Sequence, residues 1–341
     1  TNSRMIANSN NESVANFTGS HANTAWIGID ATNTGGDQWL LVSSANGGTA
    51  TGGAGAFAIY NNDTSTVGMT IDTNSRIFPS TGTSATSTVF GKLAGNDLAA
   101  GGTENTLIGE SAGENLTTGD KTTAIGYQSM HGNDSTAQSG ANNTGVGYYS
   151  LYNITTGASN TVVGSEAGSG VTSAAANTAI GNQAGTGLTQ GVGNIAIGAY
   201  DGTTVAPLAN SRAIDYNIGI GTGALSYARE NEQMNVAIGY KAMFAMDEGS
   251  SAHVDHNIAI GAEALLGADH GSNSENVQYC VAIGAYALDA TDTNDQLGTI
   301  AIGGSALSAL TSGLQNTAIG YLAGSELTTG GDNLAIGYQA C

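Results

Sequence analysis

Charge, proline and cysteine are scarce in this chain, and each scarcity removes a class of protein. Asp, Glu, Lys and Arg make up 10% of the 341 residues, against roughly a quarter in ordinary domains. Seven of them are basic and 27 acidic, a formal net charge of −20. Nucleic acid and anionic membrane surfaces would be repelled, so neither is an expected partner. The charge instead keeps an elongated, half-apolar molecule from sticking to its copies. Two prolines exclude collagen and proline-rich linkers. Cys280 and Cys341 fit no zinc spacing and, three repeats apart, no disulfide; both read as small buried apolar residues. No run approaches the 18 or more apolar residues of a membrane span, and the first residues given do not show the basic-then-apolar pattern of a signal peptide. Nucleophile elbow, phosphate loop and zinc helix are all missing, so no enzyme and no cofactor is expected.

What is abundant is glycine, at 52 residues, within a chain that is 40% hydrophobic. That apolar fraction is too high for disorder. The glycines are not scattered. The phrase Asn316-Thr317-Ala318-Ile319-Gly320-Tyr321-Leu322-Ala323-Gly324 returns in shorter form as Asn105-Thr106-Leu107-Ile108-Gly109 and Asn177-Thr178-Ala179-Ile180-Gly181. Fourteen copies are marked by Gly91, Gly109, Gly126, Gly147, Gly164, Gly181, Gly198, Gly221, Gly239, Gly261, Gly284, Gly303, Gly320 and Gly337, spaced 17 to 23 residues apart. A floor of 17 residues with occasional additions predicts one structural coil that sometimes carries an extra loop. The chain stops at Cys341 inside a repeat, which predicts a segment of a longer polypeptide.

Two glycines per unit, with Thr, Ile and Val between them, exclude a helix. Short strands joined by glycine corners fit the length, with glycine supplying positive φ or a bulge at each corner. The fold expected over 87–341 is a parallel β-roll or β-solenoid of about fourteen coils, two strands to a coil. Four residues before each marker glycine stands Asn, replaced only by Ser87, Thr122, Cys280 and Thr299. Stacked amides bonding from coil to coil explain that column better than a ligand site does. In a strand, the Ile before the glycine and the Ala before that Ile point to opposite faces. Both are apolar, and a lone roll has one inside, so another chain must cover the second face. A parallel homotrimer is the simplest closed form.

Residues 1–80 lack the repeat. Short β-prone runs (Val14–Phe17, Ala25–Ile29, Trp39–Val42, Ala56–Tyr60, Val67–Ile71) separated by Gly- and Asn-rich turns predict a small antiparallel β-sandwich. Trp26 and Trp39 are expected in its core. Pro79 and the following Ser, Thr and Gly close the module, and 81–86 form a linker.

The phrase Asn-Thr-Ala-Ile-Gly-Tyr-x-Ala resembles the repeats of phage tail fibres and related virion adhesins. It is also similar to the head repeats of trimeric autotransporter adhesins, left-handed parallel β-roll trimers with a Ser-x-Ala-Ile-Gly-x-x-Ala pattern. The resemblance covers Ser87 to Cys341; the 17-residue floor departs from the shorter autotransporter coil. Met69-Thr70-Ile71-Asp72-Thr73-Asn74-Ser75-Arg76-Ile77 resembles the Met-Thr-Ile-Asp-x-x-Gly-x-Val phrase of phage appendage proteins, with Ser75 in place of the glycine. The resemblance implies a homotrimeric, non-enzymatic fibre of a phage virion, extracellular, joined to other tail proteins and attaching to a host-surface glycan or protein. The alternatives are an autotransporter-type adhesin on a bacterial outer surface and a polysaccharide-degrading tailspike. The tailspike would need paired carboxylates in a groove, for which Asp247, Glu248 and Asp255 are the candidates.

Binding groups are expected in the insertions 130–140, 201–212, 244–256, 266–279 and 289–297, since solenoids present insertions on particular edges. The candidate receptor residues there are His131, Asp247, His253, His270 and Asp292. His253 and His256 form a weak metal pair. Asp289, Asp292, Asn294 and Asp295 form an oxygen-rich loop without the glycine and distal glutamate of a recognised calcium loop. The threonine column Thr88, Thr106, Thr123, Thr144, Thr161 and Thr178 suggests an ice-binding face. It shares that face with the Ile stripe and turns to Ile or Val after residue 195, so that reading is set aside.

Overall fold

A computed structural model describes residues 24–30, 38–44, 57–61, 66–71, 77–79, 87–98, 101–132, 138–202, 205–209, 214–227, 232–245, 253–267, 276–291 and 295–341. The chain divides into two compact units, Thr1–Thr88 and Val89–Cys341. All regular structure among the described residues is β.

In the first unit the strands Thr24–Asp30, Gln38–Ser44, Phe57–Asn61, Thr66–Ile71 and Ile77–Pro79 form one antiparallel sheet in sequence order. The expected module is antiparallel, but the described residues make a single meander, not the two sheets of a sandwich. Val14–Phe17 lies outside them. The register slips between Ile59 and Tyr60, where Ile59 pairs with Met69 and Tyr60 with Val67. Gly68 is thus the extra residue of a bulge, a place where a missing side chain is an advantage.

The second unit is a parallel solenoid. One three-residue strand from every coil joins a 14-stranded sheet, in register from coil to coil: Thr161 pairs with Thr178, Val162 with Ala179 and Val163 with Ile180. The central residue of each strand points inward and is buried, except Val89 in the first strand, which is half-buried. Ala, Gly or an occasional Leu or Val suffices there, because Leu and Met from the turns fill the remaining space: a Cβ on Gly145 would sit 2.9 Å from the Met130 methyl. The flanking residues point outward, so the threonine and isoleucine columns share one face, with Ile108, Val163, Ile180 and Ile319 each 38–40% exposed in the single chain.

The expectation of two strands per coil needs correcting. Among the described residues a second ladder exists only as the short strands Val254–Asp255, Val277–Gln278 and Gln296–Leu297, plus isolated bridges such as Ala175 to Val192. Elsewhere the described part of each coil is turn, held by backbone bonds to the next coil such as Leu151 N to Ala167 O at 3.0 Å.

The marker glycine is required twice over. At Gly164 φ is +144°, and a Cβ would lie 2.4 Å from the carbonyl oxygen of Gly181 in the next coil. The second glycine of the repeat has no single reason: Gly157 does not have positive φ, but its Cβ would meet Ala174 O at 2.4 Å, whereas Gly313 and Gly330 have φ of +125° and +107°. Left-handed turns fall instead on residues such as Leu151, Leu225, Leu265, Leu288 and Leu307, with φ between 46° and 52°. An L residue there costs about 1–2 kcal/mol. Full burial of each leucine returns about 1.5–3 kcal/mol.

Inside the roll the asparagines form a ladder. The Asn177 side-chain oxygen accepts from Asn194 N at 2.8 Å and Asn194 Nδ2 at 3.0 Å, while Asn177 Nδ2 donates to Asn160 Oδ1 at 3.1 Å and Gly191 O at 2.8 Å. Both donors and two acceptor positions of a buried amide are thereby used. The same pattern runs from Asn143 to Asn257 and resumes between Asn316 and Asn333. Cys280 takes the next place after Asn257 and is buried; Cys341 is exposed, which corrects the reading of both cysteines as buried.

Candidate functional site

Of the candidate receptor residues, Asp247, His270 and Asp292 lie outside the described residues, as do Glu248 and Asn294. His131 is not presented to solvent. It is 9% exposed, its Nδ1 lies 2.8 Å from Gly132 O, its Nε2 lies 3.4 Å from Glu114 Oε2, and its ring stacks on Tyr152.

The metal candidates separate by role. His253 Nδ1 lies 3.6 Å from Asp255 Oδ2, whereas the His256 ring stacks on Tyr279, 5.2 Å between centroids. Asp255 Oδ1 accepts Gln233 N at 2.9 Å, and Asp295 Oδ1 accepts Asn276 N at 2.7 Å. Asp215 does the same for Val192 N at 2.8 Å. These three carboxylates therefore tie one coil's backbone to the next. Burial, and after it the charge of Glu263, lifts the Asp289 carboxyl above its ordinary value. Among the described residues no group of three or more His, Cys, Asp or Glu is placed to hold a metal ion.

A different cluster assembles where residues at three positions of the coil stack. Tyr127 and Tyr148 each follow a marker glycine, and their rings lie parallel, 5.6 Å apart and 14° from coplanar. Tyr149, next along, meets Tyr148 edge-on at 4.3 Å and Tyr152 at 4.7 Å. Tyr152 stacks on His131 at 5.2 Å. Backbone bonds hold these corners in place: Tyr149 N donates to Tyr127 O at 3.1 Å and Glu166 N to Tyr148 O at 2.7 Å.

Beside this cluster opens a cleft of about 310 Å³, lined by Tyr148, Tyr149, Tyr152, Asn153, Glu166 and Ser169. Two coils build it: the tyrosines and Asn153 come from one, Glu166 and Ser169 from the next. Asn153 Nδ2 donates to Ser169 O at 2.8 Å, and Gln183 Nε2 donates to Glu166 Oε2 at 2.8 Å. Those bonds fix the orientation of the amide and the carboxylate. Desolvation against the neighbouring rings raises the Tyr148 phenol above its ordinary value, assisted by a hydrogen bond with Tyr149 and the charges of Tyr149, Tyr127 and Glu166. Chemically the cleft offers ring faces and hydrogen-bonding groups.

Sequence reasoning missed this site because it looked to the insertions. The available signal was the pair Tyr148-Tyr149 followed by Tyr152, three aromatics in five residues of an otherwise aromatic-poor repeat. Compared with protein-family models, curated proteins and solved structures, the chain matches none.

Proposed function

We propose that this chain is the structural and adhesive shaft of a phage virion fibre, a parallel homotrimer that carries host-recognition groups away from the particle. The observation that carries the reading is the unbroken in-register sheet with its apolar outer stripe. Fourteen strands stack in one direction, which at about 4.8 Å per step gives a rod face about 60 Å long. Along it run Ile108, Val163, Ile180, Ile260 and Ile319, all more than a third exposed in the single chain. An apolar stripe of that length on a soluble molecule calls for a covering partner. A second and third copy of the same stripe supply one with closed symmetry. A rigid trimer also multiplies weak contacts by presenting three identical sites on one axis.

Light scattering tests the assembly: the expected mass is three times 33.8 kDa, and a folded, soluble monomer would overturn the trimer. Antibodies against the chain tested on virions and on uninfected cells separate the settings. Labelling of fibres on particles is expected; labelling of the bacterial envelope without phage would favour an autotransporter-type adhesin.

A further inference from the structure

We infer that the tyrosine cleft is a binding site for a neutral sugar ring, one unit of a surface polysaccharide or glycan. For its biological meaning the inference rests on the adhesive reading above; its chemistry rests on the cleft.

The lining combines what a pyranose requires. A sugar ring has one face rich in C–H groups and a rim of hydroxyls. Aromatic faces carry negative quadrupole charge, which attracts polarised C–H groups and repels a carboxylate laid over them. Tyr148 is 49% exposed while packed against Tyr149 and Tyr127. One part of its ring is thus available while its position is held. Tyrosine also loses little conformational entropy on binding, having two side-chain torsions.

The hydroxyl rim would meet Glu166, Asn153 and Ser169. Glu166 is the strongest of these acceptors, since hydrogen bonds to a charged group are stronger than those to a neutral one. Its Oε2 is steadied by Gln183, so the carboxylate is oriented in advance, and preorganisation is where affinity for small polar ligands comes from. The volume of about 310 Å³ lies at the small end for ligand pockets, suited to a single sugar ring with its chain continuing outward.

Charge decides between sugar classes. The cleft holds a carboxylate and no Lys or Arg among its lining residues, in a chain of net charge −20. A uronate or sialate would meet repulsion at both ranges. Neutral hexoses and N-acetylhexosamines would not.

The experiment uses the purified full chain on an array of glucose-, galactose-, mannose- and N-acetylglucosamine-based oligosaccharides, with uronate- and sialate-containing glycans alongside. Binding to at least one neutral class is expected, with anionic glycans bound at least tenfold more weakly. Tyr148→Ala should weaken the neutral interaction tenfold or more. Glu166→Gln, which keeps the shape, should weaken it about fivefold to tenfold. Tyr240→Ala, an exposed tyrosine on a distant coil, should leave it unchanged. Far-ultraviolet spectra and melting curves of each variant establish that it is folded. Absence of any neutral-sugar binding, preference for anionic glycans, or binding indifferent to both cleft substitutions would overturn the inference. The two readings fail separately: host-cell attachment by a chain that binds no sugar sinks the cleft and keeps the adhesin, while cleft-dependent sugar binding by a chain never found on a particle does the reverse.

Discussion

Coils 143 to 257 and coils 280 to 299 share one backbone and differ in one column. In the first stretch seven asparagines in succession satisfy one another. In the second the column reads Cys280 and Thr299. Asn257 still accepts Cys280 N at 2.9 Å, but the cysteine sulfur is a poorer acceptor for the following coil's N–H groups. Thr299 Oγ1 and both amide atoms of Gln296 are buried without a hydrogen-bond partner. Yet the sheet does not notice: Ile258 pairs with Val281 and Val281 with Ile300 in unchanged register. Backbone ladder and amide ladder are therefore separate devices. The first defines the coil, and the second adds stability wherever it is present.

That separation can be broken in steps. The largest effect belongs to the device both regions share. Gly164→Ala would force a methyl to 2.4 Å from Gly181 O, and Gly284→Ala to 2.6 Å from Gly303 O, each at strongly positive φ. Both should lose more than about 3 kcal/mol, combining backbone strain with overpacking. Denaturant midpoints for the two should agree closely. A tolerated Gly284→Ala beside a ruinous Gly164→Ala would mean that the backbone column also differs between the regions.

Next comes the device that only one region has. Asn194→Ala removes the acceptor for Asn217 N and Nδ2 and the donor to Ile214 O. With several buried groups orphaned, a loss of about 3–5 kcal/mol is expected, read as a shift in urea midpoint at constant slope. Cys280→Ala, where no amide is lost, should cost about 1–2 kcal/mol. Equal losses would dissolve the distinction.

The smallest effect repairs the gap. Cys280→Asn should gain about 1 kcal/mol and a few degrees of melting temperature by extending the ladder from Asn257. The natural thiol gives an independent reading of the same place. Desolvation, only partly offset by backbone N–H groups of Thr299 and Gly298, raises Cys280 from 9.0 to about 11. A raised acid binds its proton more tightly in the folded chain, so its contribution is complete below pH 9 and is lost as pH climbs toward 11. Stability should fall across that window in the natural chain and less in Cys280→Asn. Labelling by thiol reagents should reach exposed Cys341 first; equally fast reaction at Cys280 would contradict its burial.

Much of the solenoid was legible because it recurs. A glycine that returns fourteen times announces its corner, and an asparagine kept in ten of those copies announces a ladder. The alternation of Ala and Ile separated inside from outside correctly, since strand geometry leaves no choice. Legibility failed where one residue type serves two ends. The second glycine was read as a conformational need; that holds at Gly313 and Gly330, where φ is positive, while at Gly157 contact with the next coil demands it, and left-handed turns fall also on leucines that burial compensates.

The candidate site shows the same boundary. The chain's own order determined the period, the parallel strands, the buried small residues and the acidic surface, because each follows from local geometry or composition repeated many times. Only the tertiary structure decided that Glu166 and Ser169 stand beside Tyr148, Tyr149 and Tyr152, or that His131 turns inward onto a ring rather than outward to solvent. Neighbours across coils are about 17 residues apart in sequence and about 4.8 Å apart in space. A single non-repeating side chain carries no mark of what the next coil will set against it.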